Sequence, residues 1–347
     1  MYIKRLTAQN LRNLPASCFD FTPGLNVIVG PNASGKTNLL EALHIALTGG
    51  SYRMNTLAEC IHFQFDFAQI QLLLESSDAW QETIAIQIKE NSKKIILNDK
   101  TVQSLTGLFP LVTWMPEDLD IIRAGPKYRR QFLDHILSIQ DPLYLYHSKR
   151  LAGALKQKNT ALKLKHFSSI DAINPEVASA SIYLSAARLR LMKALQEPFC
   201  SAMQQLRFGN EHELRIKSHC LVSFEEMLHA LKRVKPQEVM SKSTLKGAHL
   251  DDMEILLGGV SARRFASLGQ SRALVAALKI AQVRLLGDLT PLLLIDEVGM
   301  GLDKERMEAV WELMGGWQQA VVTTPDLGKA NIHSLMGEFN KITLPLP

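Results

Sequence analysis

Nothing in this sequence is apolar for long enough to cross a bilayer: runs such as Pro291 to Ile295 fall far short of the roughly 20 residues a spanning helix needs. Its opening, MYIKRLTAQN, alternates and has no apolar signal-peptide core, so the expectation is a cytoplasmic protein with no membrane partner. Cysteine is scarce. Cys18, Cys60, Cys200 and Cys220 lie far apart with no CxxC pair, which argues against a zinc site or a disulfide framework and leaves buried, reduced thiols as the expected state. Internal repeats and low-complexity tracts are lacking too. With 46% hydrophobic and 21% charged residues among 347, the chain has the make-up of a folded globular protein of one large or two modest domains.

What is present is unevenly placed. The net charge is only +5, yet residues 121–250 hold 21 Lys and Arg against 10 Asp and Glu, an excess of +11 that leaves −6 for the remainder. The middle of the chain therefore suits an anionic partner. The first sixty residues read as strand, loop, strand, glycine-rich loop and helix, from the alternation Tyr2, Lys4, Leu6 to the buried-strand run Val27 to Val29. Period-two spacing at Phe63, Phe65 and Phe67, then Ile84, Ile86 and Ile88, then Ile95 and Leu97 predicts an antiparallel β-lobe. From about Pro126 to Val239 the spacing turns helical and basic, with Asp141-Pro142, Asn174-Pro175 and Pro236 predicted as punctuation between helices. Ser267 to Leu286 reads as one amphipathic helix, and Leu292 to Ile295 and Ala320 to Thr323 as buried strands. The expected organisation is an α/β domain of residues 1–125 and 250–347, its core sheet drawing on both chain ends, with a helical lobe inserted at 126–249.

GPNASGKT, Gly30 to Thr37, fits GxxxxGK[ST] and stands between a strand pattern and a helix pattern, as a phosphate loop requires. Gly30 and Gly35 allow the backbone of Pro31, Asn32, Ala33 and Ser34 to turn its amide hydrogens onto phosphate oxygens. Lys36 neutralises β/γ charge, Thr37 can ligate Mg²⁺, and Asn38 opens the helix behind it. The ligand class is a nucleoside triphosphate.

PLLLIDE, Pro291 to Glu297, is an apolar strand ending in two carboxylates whose side chains alternation sends different ways. Asp296 is the candidate for the Mg²⁺ shell and Glu297 for orienting or deprotonating the attacking water. Asp-Glu after a strand equally suits a surface turn. Order along the chain favours the catalytic reading: phosphate loop, then SLGQ at Ser267, Leu268, Gly269 and Gln270 opening a long helix, then this strand, then Asp303 in GMGLD. In ABC ATPases a Ser-Gly-Gln element contacts the γ-phosphate held by the partner subunit, so such a site is complete only in a dimer. Taken alone, Ser267 is a plain helix N-cap. Thr323 ends the next strand where many ABC ATPases carry a γ-phosphate-sensing His; it can hydrogen-bond a water or a phosphate oxygen, or be structural.

With these residues in place the chain resembles the RecF family, bacterial recombination-mediator ATPases related to SMC proteins, along almost its whole length. The likeness rests on LTAQNLRNL, GPNASGKTNLLEAL, MPEDLDIIRAGPKYRRQFLD, LAGALKQKNTALK, HLDDMEILLGGVSARRFASLGQ and LLLIDEVGMGLD. It implies an ABC-type P-loop ATPase head with an antiparallel β-lobe and an inserted helical lobe. ATP and Mg²⁺ as cofactors, homodimerisation on ATP binding and slow hydrolysis are implied as well. So are binding to double-stranded DNA near single-strand gaps, partnership with RecR, and action with RecO and RecA in DNA repair, replication and the SOS response. Arg12, in NLRN, matches a position that approaches nucleotide phosphates in relatives, and suits an exposed turn equally. Two departures stand out: Gly247-Ala248-His249-Leu250-Asp251-Asp252 where the family usually reads GPHRDD, and Leu268 where the signature commonly has Arg or Gly.

Two other readings share the phosphate loop. An ATPase subunit of a membrane transporter would use the same nucleotide machinery, but the basic insertion argues against it. A P-loop small-molecule kinase would need neither SLGQ nor Asp303. Long-armed SMC relatives are excluded, since the insertion lacks room and sustained heptads for an extended coiled coil. For DNA, Lys149, Lys156 and Lys163 recur every seven residues, as do Lys158 and Lys165. The two rows lie on nearly opposite helix faces, so one row is expected to face DNA and the other solvent.

Overall fold

The opening alternation forms strand β1 (Tyr2–Gln9), but Ile3 and Leu6 are both buried because the register slips between Ile3 and Arg5. A bulge there turns the following side chains over. The computed structural model describes every residue except 15, 55, 77, 210, 298–301, 328–337 and 345–347. Strand β1 pairs with β2 (Ser17–Asp20), after which the chain leaves for a second sheet through β3 (Gly24–Val29) and helix α1 (Lys36–Thr48). It then returns as β4 (Phe67–Glu75), β5 (Gln81–Lys89), β6 (Ser92–Leu97) and β7 (Lys100–Val102), completing a six-stranded antiparallel sheet in the order β2-β1-β4-β5-β6-β7. This is the expected β-lobe, with one correction at its start. Strand β4 begins at Phe67, and Phe63 and Phe65 are exposed ahead of it, because the His62 N–H donates to Asn10 O and the Phe65 N–H to His62 O, closing a turn.

Strand β8 (Leu111–Trp114) ends the first stretch of this unit, Met1–Asp118, which is completed by Leu278–Pro347. The second unit, Leu119–Ala277, begins with α2 (Leu119–Arg123), α3 (Pro126–Gln140), α4 (Pro142–Lys163) and α5 (Ile170–Gln205). Pro126 and Pro142 open their helices, where a missing N–H costs nothing, and the Asp141 carboxylate caps α4 by accepting from Leu143 N at 2.9 Å. Pro175 and Pro236 do not separate helices as predicted. Each lies inside one, Pro175 in α5 and Pro236 in α6 (Phe224–Ser241). The buried faces continue past the lost hydrogen bonds, through Val177, Ala178 and Leu184 in α5 and through Glu238 in α6.

The helical stretch also contains a strand, β9 (His212–Lys217), which pairs antiparallel with β10 (Asp252–Leu257), itself joined to β11 (Val260–Ser261). This pairing brings Asp252–Leu257 into the helical unit, which runs from Leu119 to Ala277 and so extends beyond the expected 126–249 at either end. Helices α7 (Ala262–Phe265) and α8 (Leu268–Leu285) follow. The chain ends as β12 (Leu292–Ile295), α9 (Lys304–Leu313), β13 (Gln319–Thr324) and β14 (Asn340–Thr343). These strands form a five-stranded parallel sheet in the order β14-β3-β13-β12-β8, drawn from both ends of the chain as expected. Helix α1 packs against strands of both sheets, with Leu39, Leu40, Ala42, Leu43, Ile45 and Ala46 all fully buried. The cysteines are all free, but only Cys60 and Cys220 are buried; Cys18 is exposed and Cys200 half-buried.

Candidate functional site

In a parallel sheet every strand ends at the same edge, so loops far apart in sequence converge there. The loop after β3 is Gly30 to Thr37. Lys36 is buried and its Nζ donates to the carbonyls of Gly30 and Pro31, both at 2.8 Å, bending the loop over its own side chain. Burial lowers the Lys36 pKa below its ordinary value, against the raising effect of Asp296 and Glu297. Glycine is required at two positions. A Cβ on Gly30 would meet Ser34 Oγ at 2.6 Å, and Gly35 sits at φ +95° with Asn13 Oδ1 and Leu14 Cδ2 just over 3 Å from where its Cβ would be. Ser34 Oγ is buried with no hydrogen-bond partner among the described residues, while Pro31, Asn32 and Ala33 are exposed. An orphaned hydroxyl inside a glycine-turned loop at a helix N-terminus is a cradle suited to phosphate oxygens.

The carboxylate half closes onto this loop. Asp296 follows β12 and is buried; its Oδ2 accepts from Thr37 Oγ1 at 2.8 Å and its Oδ1 from Thr323 Oγ1 at 2.7 Å. Thr323, at the end of β13, is itself fully buried, and its hydroxyl also accepts from the Glu297 N–H at 2.8 Å. It positions Asp296 and Glu297. The Glu297 side chain is exposed, on a backbone at φ +53°, a left-handed conformation that a non-glycine residue adopts at some cost. Asp296 and Glu297 thus point differently, one inward to Thr37 and one outward. A hydroxyl and a carboxylate are the hard oxygen donors Mg²⁺ takes, together with waters and substrate phosphates, so Thr37 and Asp296 fit the ion.

Arg12 lies at φ +52° in the turn after β1, and its guanidinium donates to both oxygens of Glu41, at 3.1 and 3.3 Å. Glu41 is fully buried in α1 and also accepts from Ser51 Oγ at 2.5 Å, with Arg53 at 3.5 Å. Its role is not visible in the sequence, where NLLEAL offers only an acid among apolar residues. The neighbouring Asn13 accepts from Asn38 Nδ2 at 2.5 Å and donates to Ala33 O at 3.4 Å, tying the Arg12 turn to the phosphate loop. Glu117, after β8, carries no signal in the sequence either; burial raises its pKa, and Asp296 adds to the effect while Arg53 opposes it.

In the second unit, Ser267 and Gln270 cap α8 reciprocally: Ser267 Oγ accepts from Gln270 N at 3.2 Å and Gln270 Oε1 from Ser267 N at 2.8 Å. Gly269 lies exposed between them. Asp303 caps α9, accepting from Arg306 N at 3.0 Å; the four residues 298–301 of the LLLIDEVGMGLD run lie outside the described residues. The altered GPHRDD segment proves to hold two clamps. Asp252 accepts from Arg129 at 2.7 and 3.1 Å, and Asp251 from Arg188 at 2.9 Å and Ser185 at 2.6 Å. Ala248 is buried and its carbonyl also takes Arg188, whereas Leu250 is exposed. The row Lys149, Lys156, Lys163 is exposed, as is Lys165, but Lys158 is not solvated as its row was expected to be: it is fully buried on Glu238 at 2.8 Å.

A parallel sheet carrying a phosphate loop, with an Asp-Glu pair at the end of the strand next but one and an antiparallel lobe beside it, is the architecture of an ABC-type P-loop ATPase head. The chain belongs to the RecF/RecN/SMC family: the model of the RecF/RecN/SMC N-terminal domain matches residues 2–331. The DNA replication and repair protein RecF of Protochlamydia amoebophila is 33% identical over 344 residues, covering 94% of either chain. A solved structure described as the recombination mediator protein RecF-ATP in the RecFOR pathway superposes with a TM-score of 0.84 at 27% identity, over 94% of this chain and 92% of that one. An SMC head bound to the C-terminal winged-helix domain of ScpA shares the fold, with a TM-score of 0.56 at 17% identity over 95% and 92%.

Proposed function

We propose that this chain is a recombination-mediator ATPase of RecF type, an ATP-gated clamp on duplex DNA near single-strand gaps. The observation that carries the reading is the hydrogen-bonded relay from Thr37 through Asp296 and Thr323 to the Glu297 amide, set against a phosphate loop with an orphaned Ser34 hydroxyl. Gly30 to Thr37 hold the triphosphate of ATP. Thr37 and Asp296 hold Mg²⁺, which neutralises charge on the β- and γ-phosphates when bound. Glu297, its backbone fixed by Thr323, orients or deprotonates the attacking water. Two copies enclose two nucleotides, each phosphate loop completed by Ser267, Gly269 and Gln270 of the opposing copy, and slow hydrolysis releases the DNA. The excess of +11 over residues 121–250 and the exposed lysine row of α4 supply a sequence-neutral phosphate contact. RecR, RecO and RecA are the partners in this pathway.

The test is fluorescence anisotropy of a gapped duplex titrated with the protein, with and without ATP, at two salt concentrations and beside Lys36→Ala. Salt-sensitive binding that requires ATP and disappears in the variant is the expected result. Binding indifferent to both ATP and the substitution overturns the gate, and no binding overturns the DNA assignment.

A further inference from the structure

We propose that Arg123 is a positioning residue of the shared ATPase site, holding Ser267 in place through Ser271; the proposal rests on the reading of Ser267 to Gln270 as the element that completes the opposing copy's phosphate loop. Arg123 closes the short helix α2, far in sequence from α8, and its Nε donates to Ser271 Oγ at 3.3 Å. Ser271 Oγ donates in turn to the carbonyl of Ser267 at 2.8 Å, and the Ser271 N–H meets the same oxygen at 2.9 Å. On its other side Ser267 is held by Gln270, whose Oε1 takes the Ser267 N–H and whose own N–H is accepted by Ser267 Oγ. Both backbone groups of Ser267 are thus fixed. Its hydroxyl accepts, and the hydroxyl hydrogen has no acceptor among the described residues. On an exposed residue that hydrogen is free for an incoming anion.

Packing alone does not account for this chain of bonds. Ser271 is fully buried in α8, where the next buried positions are Ala273, Leu274, Ala276 and Ala277. A serine that bonds back to the carbonyl four residues earlier is a poorer helix former than alanine, and a buried hydroxyl must find partners. Both partners of Ser271 lead to the head of the helix, Arg123 as donor and Ser267 as acceptor. Arg123 itself is exposed and has no other hydrogen bond or ion pair among the described residues. Its one tie therefore serves α8 and not the core. Hydrogen bonds in series polarise one another, so a guanidinium at the start of the chain strengthens the grip of Ser271 on Ser267. Arg123 stands two hydrogen bonds from Ser267, close enough to set where that residue lies and without touching the nucleotide itself.

The experiment measures ATP hydrolysis by single variants of the full chain and by mixtures of two, with ATP affinity followed by calorimetry. Arg123→Ala and Ser271→Ala are each expected to lower kcat by roughly ten- to a hundredfold, the scale on which a displaced group costs rate, with ATP affinity unchanged and Arg123→Lys recovering most of the loss. Complementation separates positioning from a merely structural role. Arg123→Ala keeps a sound phosphate loop and Lys36→Ala keeps a sound Ser267, so a mixed dimer contains one whole site, and the mixture is expected to hydrolyse ATP faster than either variant alone. Ser267→Ala mixed with Lys36→Ala is the reference. Recovery in the reference but not with Arg123→Ala means that Arg123 serves its own copy, which overturns the proposal, as does a wild-type rate in Arg123→Ala alone. Recovery in neither mixture removes the shared site and the reading on which the proposal rests. Should Arg123→Ala fail to fold, Ser271→Ala, which suits a helix better than serine, carries the same mixing test.

Discussion

Thr323 ends β13, and its hydroxyl both donates to Asp296 and accepts from the Glu297 amide. Replacing it with valine keeps the shape but leaves a buried carboxylate oxygen and an amide without their partner, a loss of about 1–3 kcal/mol. Outer-shell partners of this kind also govern metal affinity by about 10- to 100-fold. Thr323→Val is therefore expected to raise the Mg²⁺ concentration for half-maximal ATP hydrolysis by that factor, and Thr323→Ser to restore it. An unchanged Mg²⁺ dependence would mean that Asp296 is held by Thr37 alone. Residues of the phosphate loop and the Asp-Glu pair are legible in the sequence because a glycine spacing and a strand end dictate them locally. Glu41 is not, since the partners that make it central, Arg12, Ser51 and Arg53, reach it only through the fold.

Helix α4 separates two kinds of lysine that sequence spacing alone treats alike. Lys158 and Glu238 form a fully buried pair between α4 and α6; burial pulls the ammonium pKa down while Glu238 holds it up. Removing one partner of such a pair costs about 3–5 kcal/mol, whereas truncating an exposed lysine changes stability by about 0.5 kcal/mol at most. Urea unfolding is expected to show that contrast between Glu238→Ala and Lys156→Ala, and equal midpoints would show the pair to be solvated. The seven-residue spacing correctly sets the rows on opposite faces, but which face meets the protein is decided by packing against α5, and the partner that Lys158 then finds, Glu238, comes from α6, far along the chain. The same limit hides β9. Its residues His212, Leu214 and Ile216 alternate in only six positions, and the strand exists because β10 pairs with it.

At the scale of the molecule, the two-layer head and the helical insertion follow from periodicity and motif order, while the limits of the insertion do not, because the β9–β10 pairing draws 252–257 into the helical unit. The basic surface is tested there as well. If Lys149, Lys156 and Lys163 each neutralise one DNA phosphate, replacing all three with alanine flattens the logarithmic salt dependence of duplex binding by about 2–3, at about 0.9 per contact. An unchanged slope moves the DNA surface elsewhere. The parallel sheet carries a last consequence, for synthesis. Strand β3, which presents the phosphate loop, has β13 on one side and β14 on the other, and both are encoded at the far end of the chain. A chain emerging from the ribosome N-terminus first holds its glycine-rich loop early, but the strands that flank β3 among the described residues are made only about 290 residues later. Termination before Gln319 therefore yields the nucleotide-binding sequence without the strands that flank β3, and synthesis of β13 and β14 is the step that completes the sheet beneath the loop.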